Sequence, residues 1–359
     1  MIRLGTRRSP LALAQTTTIA DALRRAGHDV EIVEVVTLGD RDRAAPDKAK
    51  WVSELERALL AGEVDAAVHS AKDVPGELPG GLALVAAGVR EDPRDVLIGT
   101  TDLDALPDGA RVGTASLRRA AQLLAARRDL RIVEVRGNVD TRIGRLRGAD
   151  PGSAAVPSPT SVPDRAPVDA IVLAAAGLRR LGRDPSPCVV LDGTTFVPAP
   201  GQGIVTLEAR ADDRATIDAI RAVHDAAAWT ALLAERTLAR ALGADCTSAV
   251  GAHAVATSDG LRLSGFVGAP DGSGWAIDHV TGSDPGALGR ELAERLRRAG
   301  ADELLAAARR SADPERRASL PESGHAAPDP EPREAAPDRG GRPAAPTPDP
   351  VRPDEDPRP

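Results

Sequence analysis

Residues 2–15 read IRLGTRRSPLALAQ, and this stretch sets the pattern from which the fold is predicted. Residues 2–6 form a short, mostly apolar strand candidate. Ser9 followed by Pro10 is typical of a helix start, because Ser caps free N–H groups and Pro fits the first helical turn. A strand that runs directly into a helix is the repeating unit of open α/β sheets.

The same alternation continues to about residue 210. Strand candidates are 2–6, 30–37, 66–70, 82–89, 96–100, 132–136, 170–175 and 203–209, and helix candidates are 10–25, 51–61 and 116–127. Residues 149–167, ADPGSAAVPSPTSVPDRAP, interrupt the alternation and are predicted to form a loose surface loop. After Asp212 the pattern predicts an α+β domain, with helices over about 214–242 and 285–308 and strands at 250–256, 261–268 and 275–280.

Length and composition limit the class of protein. The 359 residues can form two or three domains, each with its own core. The net charge is −7 and the aromatic residues are three Trp and two Phe, which argues against a nucleic-acid partner. Residues 311–359 hold 13 of the 30 prolines, and 11 Asp and Glu against 7 Arg. Such a segment cannot bury enough apolar surface to become ordered, so we predict a disordered tail.

The two cysteines, Cys188 and Cys246, lie far apart in the sequence and do not form a disulfide framework. They fit a reducing compartment. The N-terminal segment has no apolar run long enough for a signal peptide or a membrane span, so we predict a cytoplasmic protein without a membrane partner. No spacing of Cys and His residues indicates a metal site.

Arginines stand at three predicted helix starts. They are Arg7 and Arg8 before Ser9, Arg118 and Arg119 after Ser116, and Arg136, Arg142 and Arg145 after the strand candidate 132–136. A helix N-terminus is already partly positive, so a cation there is unfavourable unless an anion binds beside it. Each arginine could instead pair with a nearby acid. Three such starts at strand-to-helix turns favour binding sites for carboxylate or phosphate.

Residues 68–75, VHSAKDVP, place Lys72 and Asp73 directly after a strand candidate, and Pro75 prevents a helix from following. A carboxylate beside an ammonium group suits a site where positive charge develops during a reaction. An ordinary surface ion pair is the alternative for these two residues. His69, taken alone, is more typical of a structural histidine.

Residues 241–252, ALGADCTSAVGA, place Cys246 among small and polar residues. Its neighbours Asp245, Thr247 and Ser248 suit an exposed turn better than a core. Cys188 adjoins an apolar run, as buried cysteines commonly do. A lone exposed thiol indicates a nucleophile or a point of covalent attachment.

Eight motifs, in this order, resemble the porphobilinogen deaminase (hydroxymethylbilane synthase) family. They are RLGTRRSPLALAQ, VHSAKDVP, EDPRDVLIG, VGTASLRRAAQL, RGNVDTRIGRL, AAAGLRRLG, PAPGQGIVTLEAR and ERTLARALGADCTSAVGA. The resemblance runs from Arg3 to about Arg310 and leaves out the 149–167 loop and the tail. Eight motifs in a fixed order are far more specific than any one of them.

The resemblance implies a transferase of porphyrin and heme biosynthesis. In this family a dipyrromethane cofactor is attached through a thioether, and Cys246 matches the attachment position. Four porphobilinogens are joined head to tail onto this primer with loss of ammonia, and the linear tetrapyrrole hydroxymethylbilane is then released by hydrolysis. Asp73 matches the family's essential aspartate, which stabilises the cationic azafulvene formed as ammonia leaves.

The resemblance also implies which side chains hold the acetate and propionate groups of the pyrroles. The cofactor-binding set is Cys246, Lys72, Asp73, Ser116, Arg118, Arg119 and Arg142. The substrate-binding set is Arg7, Ser9, Lys48, Arg136, Arg142 and Arg180.

The implied fold has two α/β lobes of the periplasmic-binding-protein type with a cleft between them, plus a smaller C-terminal α+β domain. Lobe 1 is 1–92 with 195–212, lobe 2 is 93–194, the cofactor-attachment domain is 213–310 and the tail is 311–359. The two crossings between the lobes would make a hinge. We expect a monomer.

One segment departs from the family pattern. A glycine-rich mobile loop that contains Lys and ends in Phe usually precedes the ELE helix, whereas this chain reads APDKAKWVSELE, with Lys48 as the loop lysine and Trp51 in place of Phe. Loss of the glycines removes backbone freedom that a lid uses. Two alternatives to the enzyme are a non-catalytic anion-binding protein with the same lobes and an inactive paralogue.

Overall fold

Three β-sheets organise the described part of the chain, and each sheet has its own apolar core. The computed structural model describes residues 1–35, 49–148, 166–245 and 248–312. These residues belong to one compact unit, Met1–Ala318. Within them, no helix is long and apolar enough to cross a membrane.

The first sheet has five strands in the order β2-β1-β3-β10-β4. They are β1 Ile2–Arg7, β2 Val30–Val35, β3 Ala66–Ser70, β4 Leu82–Ala87 and β10 Val205–Arg210. β1 is parallel to β2 and β3, and β10 lies antiparallel between β3 and β4. Its helices are α1, Pro10–Arg25, and α2, Ala49–Leu60. Ile19 and Leu23 of α1 pack on Leu4 and Leu207 in the core.

The second sheet also has five strands, in the order β7-β6-β8-β5-β9. They are β5 Asp95–Ile98, β6 Arg111–Gly113, β7 Arg131–Val133, β8 Ala170–Ala174 and β9 Cys188–Val190. β6, β7 and β8 run parallel, whereas β5 is antiparallel to β8 and β9. Helices α3, Leu117–Ala126, α4, Val139–Ile143, and α5, Ala175–Arg180, follow the three parallel strands.

The third sheet is an antiparallel meander of β11 Val250–Thr257, β12 Gly260–Gly268 and β13 Trp275–Gly282. Helix α6, Arg214–Ile220, precedes this sheet in the chain but packs on the first sheet, where Ile220 joins the core with Leu4 and Leu207. The helices of the third sheet are α7 Ala226–Ala241, α8 Pro285–Arg298 and α9 Ala301–Ala312. Leu238 of α7 and Leu292 and Leu296 of α8 are fully buried against Leu263 of β12. The predicted class, α/β with a smaller C-terminal α+β domain, is confirmed.

Several predicted elements were wrong in detail. The helix predicted over 214–242 is interrupted, because a 3₁₀ turn occupies Arg221–Val223 and Asp225 then caps α7 by accepting from the Ala228 N–H at 2.7 Å. The helix predicted over 285–308 is two helices, because Gly300 has a φ of 94°. Strands β6 and β9 were missed, since three residues are too few to show periodicity. Residues 149–165 of the predicted surface loop lie outside the described ranges.

Two chain segments connect the first and second sheets, and they run side by side. Gly88 donates its N–H to the Val205 carbonyl at 2.9 Å, and Glu91 donates to the Gly203 carbonyl at 3.0 Å. Gly203 has a φ of 89°, and a Cβ there would stand 2.2 Å from the Glu91 carbonyl oxygen. Only glycine allows this close approach of the two backbones.

A buried carboxylate ties both segments to the third sheet. Glu235 of α7 is fully buried and receives Arg90 Nη1 at 2.7 Å on Oε1. It also accepts the backbone N–H of Gly201 at 2.6 Å and that of Ala254 at 2.7 Å. One side chain therefore joins the first connection, the second connection and strand β11.

We expect the segment beyond α9 to be dispensable. A chain ending at Ala312, two residues beyond the Arg310 boundary inferred from sequence, keeps the whole of α9. The removed residues are rich in Pro and charge, so their loss should leave the melting temperature and the activity unchanged. Thermal melts of both chains check this, and a lower melting temperature for the shorter chain would show that the tail docks.

Candidate functional site

In the first sheet, the predicted site residues follow the carboxyl ends of two neighbouring parallel strands. Arg7 ends β1, and Ser9 caps α1 by accepting the Ala12 N–H at 3.2 Å, as predicted. Lys72 and Asp73 lie in a 3₁₀ turn, Ala71–Asp73, that directly follows β3. Pro75 thus allows a single 3₁₀ turn after the strand, where no helix was predicted. The sheet brings all four side chains to one edge, where α/β folds place their ligands.

In the second sheet, the predicted residues follow the three parallel strands in the same way. Ser116 begins α3 and its hydroxyl makes no N-cap hydrogen bond, so the oxygen is not occupied by the helix. Arg118 and Arg119 lie in the first turn of α3, as predicted. Arg142 lies in α4, which follows β7, and Arg180 ends α5, which follows β8.

Arg118 and Arg119 share one buried carboxylate. Asp95, at the start of β5, is fully buried and receives Arg118 Nη2 at 2.8 Å and Arg119 Nη2 at 2.7 Å. Arg118 also donates to the Val197 carbonyl at 2.8 Å, and Arg119 to the Val172 carbonyl at 2.9 Å. Both arginines therefore pair with an acid, which was the alternative considered from the sequence. Two cations against one anion still leave a net positive charge.

The charges of this cluster shift its pKa values in opposite senses. Burial opposes ionisation of Asp95, but the positive charges of Arg118 and Arg119 outweigh it and hold the pKa of Asp95 below its ordinary value. Burial lowers the pKa of Arg118, and Asp95 opposes this effect. The carboxylate is thus ionised at neutral pH and stabilises two buried guanidinium groups.

We expect Asp95→Asn to destabilise the fold strongly. The substitution keeps the shape but leaves two buried cations without a counter-charge, which costs about 3–5 kcal/mol in the free energy of unfolding. Urea unfolding measures this loss. Because the pKa of Asp95 is lowered by folding, its stabilisation is present above about pH 4 and is lost as the pH falls through the folded-state pKa.

The matched control for this substitution is Asp278→Asn. Asp278 pairs with Arg295 at 2.7 Å, but this pair is partly exposed on the third sheet. Exposed pairs contribute about 0–1 kcal/mol. Equal losses for the two variants would contradict the role of Asp95 as the buried counter-charge.

Gln202 connects Lys72 of the first sheet with Asp95 of the second. Its Oε1 accepts from Lys72 Nζ at 3.3 Å, and its Nε2 donates to Asp95 Oδ1 at 2.9 Å and to the Pro93 carbonyl at 2.6 Å. Gln202 is 1% exposed. Sequence analysis missed Gln202 and Asp95, although both lie in quoted motifs. An acid at the start of an apolar strand was the signal that could have identified Asp95.

Arg142 is affected both by burial and by neighbouring cations. Its pKa is lowered to about 10, first by burial and then by the positive charge of Arg119, while Asp73 raises it and Arg136 lowers it. Arg142 Nε donates to the Gly137 carbonyl at 2.7 Å. Gln202 joins Lys72 to Asp95, so the edges of both sheets face one another here, and Arg142 is close enough to Asp73 and Arg119 to respond to their charges. A bound anion would offset this excess of positive charge.

The remaining predicted arginines differ in their surroundings. Arg136 is exposed and pairs with Glu134, so the alternative of a nearby acid holds for it. Arg8 likewise pairs with Glu34 at 3.2 Å. Arg180 Nη2 donates to the Gly203 carbonyl at 2.6 Å, and burial lowers its pKa. The arginines at helix starts therefore form two groups. Arg8 and Arg136 are exposed and each pairs with an acid, whereas Arg118, Arg119 and Arg142 are buried or half-buried and together carry a net positive charge.

Cys246 and Lys48 lie outside the described residues. On either side of Cys246 and Thr247, the Asp245 N–H donates to Ser248 Oγ at 3.0 Å and Ser248 Oγ donates to Asp245 Oδ1 at 2.8 Å. Asp245 is exposed, in line with the turn predicted here. Cys188, by contrast, is a half-buried free thiol that packs on the apolar core of the second sheet.

His69 is buried, with its Nε2 3.0 Å from Oε2 of the fully buried Glu208. His69 lies in β3, two residues before the 3₁₀ turn, and its burial there agrees with a structural histidine.

Comparisons with known proteins give matches over most of the chain. The family model "Porphobilinogen deaminase, dipyromethane cofactor binding domain" matches residues 2–218, and "Porphobilinogen deaminase, C-terminal domain" matches residues 229–298. The porphobilinogen deaminase of Rubrobacter xylanophilus is 45% identical over 309 residues, which cover 84% of this chain and 95% of that protein. The porphobilinogen deaminase of Trichlorobacter lovleyi is 42% identical over 314 residues, covering 85% and 95%.

Among solved structures, the chain is similar to a periplasmic substrate-binding protein of an ABC transporter from Coxiella burnetii. The TM-score is 0.38 and the identity 19%, with 64% of this chain and 94% of that chain covered.

Proposed function

The chain belongs to the porphobilinogen deaminase family, as its motifs predicted, and from this premise we propose which of its residues perform the family's reaction. The reaction is the stepwise condensation of four porphobilinogens onto a dipyrromethane primer with loss of ammonia, followed by hydrolytic release of hydroxymethylbilane. The observation that carries the assignment is the net positive charge of Arg118, Arg119 and Arg142 at an edge that faces Asp73.

The residues at this edge fit the dipyrromethane cofactor. The two pyrrole units carry four carboxylates. Arg118, Arg119 and Arg142 carry three positive charges, and among the buried acids of the described residues only Asp95 lies against them. Ser116 and Lys72 add a hydroxyl and an ammonium group beside them. When bound, the cofactor supplies the pyrrole carbon to which the first substrate unit is joined. We assign its covalent attachment to Cys246 and its carboxylate contacts to Lys72, Ser116, Arg118, Arg119 and Arg142.

The first-sheet edge supports the assignment of substrate contacts. Arg7 and Ser9 lie beside Lys72 and Asp73 at the ends of β1 and β3, and Gln15 Nε2 of α1 donates to Ser70 Oγ at 2.8 Å. This bond fixes the second turn of α1 against the end of β3, directly before the turn that holds Lys72 and Asp73. We assign substrate carboxylates to Arg7, Ser9, Lys48, Arg136, Arg142 and Arg180, and for Arg136 this requires exchange of its partner Glu134.

Asp73 is the proposed catalytic residue. Its carboxylate lies at an edge dominated by cations, and it is close enough to Arg142 to affect the pKa of that residue. A fixed carboxylate stabilises positive charge that develops on the substrate as ammonia leaves. Arginines alone could bind the substrate, but they would oppose that step.

Domain boundaries, oligomeric state and compartment belong to the same proposal. Sheet order supports lobe 1 as 1–92 with 195–212 and lobe 2 as 93–194, because β10 completes the first sheet after the chain has built the second. The third sheet with helices α7, α8 and α9 supports an attachment domain within the proposed range 213–310, whereas α6 at the start of that range packs on the first sheet. We propose a cytoplasmic monomer, because its two cysteines lie far apart in the sequence and fit a reducing compartment.

The experiment is incubation of the purified full chain with porphobilinogen, with pyrrole consumption and ammonia release measured together. We expect both, in equal amounts. Binding of porphobilinogen without ammonia release would instead support a protein without turnover, either the non-catalytic anion-binding protein or the inactive paralogue. The two matched family models favour the enzyme over both.

A further inference from the structure

Arg236 of α7 lies against the chain segment that follows Asp73. Its Nη1 donates to the Val74 carbonyl at 3.1 Å, and its Nη2 donates to the Pro75 carbonyl at 2.6 Å and the Gly76 carbonyl at 3.2 Å. One guanidinium group therefore donates hydrogen bonds to three consecutive carbonyl groups. Backbone carbonyls outside helices and strands need such donors when water is excluded.

This arrangement has an energetic cost. The pKa of Arg236 is lowered to about 10, first by burial and then by the charge of Arg240, while Glu208 opposes the shift. The guanidinium group thus loses hydration, and the acceptors of its hydrogen bonds are neutral carbonyl groups, not carboxylates. Burial of a cation without a counter-charge is unfavourable for stability, so the geometry that these hydrogen bonds fix is the better explanation for the contact.

The same helix also holds the beginning of the catalytic turn. Ala71, the first residue of the turn, packs in one apolar cluster with Ala228 and Leu232 of α7 and with Ile204. Lys72 and Asp73 therefore lie between two contacts with α7, one at Ala71 and one at Val74–Gly76. A turn fixed at both ends has little freedom to move its side chains.

We propose that Arg236 is a positioning residue for Asp73 and Lys72, acting through the Val74–Gly76 carbonyls. It touches neither the substrate nor the cofactor. Its three hydrogen bonds fix the backbone just after Asp73, and with it the place of the carboxylate relative to Arg142. Misplacement of a catalytic group by about 1 Å can cost on the order of 10²-fold in rate. This inference rests on the proposed role of Asp73.

The test compares Arg236→Met and Arg236→Lys in the full chain. Met keeps an unbranched apolar stem like that of Arg but donates no hydrogen bond, whereas Lys can reach one or two of the carbonyls. We expect Arg236→Met to lower kcat about 10–100-fold, with KM within about threefold and the cofactor-loaded fraction, from intact mass, unchanged. Arg236→Lys should fall between the two. Amide hydrogen exchange of residues 72–77 should become faster in both variants.

The matched control is Arg290→Met, which removes an exposed arginine of α8. It should leave kcat and the exchange of 72–77 unchanged. A normal kcat in Arg236→Met, or a loss that only follows a lower melting temperature or a smaller loaded fraction, would overturn the inference. If Arg236→Met does not fold, kcat and exchange of Arg236→Lys decide in the same way.

Asp73→Asn separates this inference from the proposal on which it rests. Normal turnover in Asp73→Asn would remove the role of Asp73 and the inference with it. Loss of turnover in Asp73→Asn together with normal turnover in Arg236→Met would overturn only the role of Arg236.

Discussion

Cys246→Ser protein is expected to fold, to carry no covalent cofactor and to have no turnover. A hydroxyl is a much poorer nucleophile than a thiolate at neutral pH, so the thioether cannot form. The substitution removes no large apolar group, and the hydrogen bonds between Asp245 and Ser248 on either side can persist. Intact mass of protein made in cells that supply porphobilinogen should show two condensed pyrrole units on the unchanged chain and none on the variant.

Cys188→Ser is the matched control, because Cys188 is the other cysteine of the chain. Its thiol packs on an apolar core, which disfavours the thiolate that attack requires. The control should keep the added mass, and peptide mapping should place that mass on Cys246. Tetrapyrrole formation by protein with an unmodified Cys246 would contradict this role. An unmodified, inactive protein would instead favour the paralogue.

Asp73→Asn should lower turnover by about 10²–10³-fold, because it keeps the shape of the side chain and removes its charge. The effect should appear in kcat more than in KM, since the charge matters most when positive charge develops on the substrate. Steady-state rates with porphobilinogen measure both. The control is Asp65→Asn, an acid at the opposite, amino-terminal side of β3 that pairs with Arg3. Near-normal turnover in Asp73→Asn would mean that another carboxylate carries the role.

The sequence predicted those features that depend on local pattern. Ser9 with Pro10, and Ser116 before an apolar stripe, are local signals, and the structure confirms both helix starts. Breaks inside apparently continuous helices were missed, because Asp225 and Gly300 act through single caps and dihedral angles that periodicity averages out.

Contacts between distant segments could not be predicted in the same way. Gln202 lies 130 residues from Lys72 and 107 from Asp95, and nothing local in PAPGQG shows that its side chain joins them. The arginines at helix starts were identified because cations are unusual there. Arg136 pairs with Glu134, two residues away in the sequence, whereas Arg118 and Arg119 pair with Asp95, 23 and 24 residues away, and only the fold determines this second pairing.

Glu235 links the unfolding of the three sheets to one another. Its carboxylate is the shared partner of Arg90, of Gly201 and of Ala254, which belong to both connections and to the third sheet. If any one of these segments detaches, the buried Glu235 carboxylate loses one of its three partners. A partly folded state with one sheet missing is therefore destabilised. The free energies of the sheets are therefore coupled, and the chain gains cooperativity from a single side chain that takes no part in the chemistry.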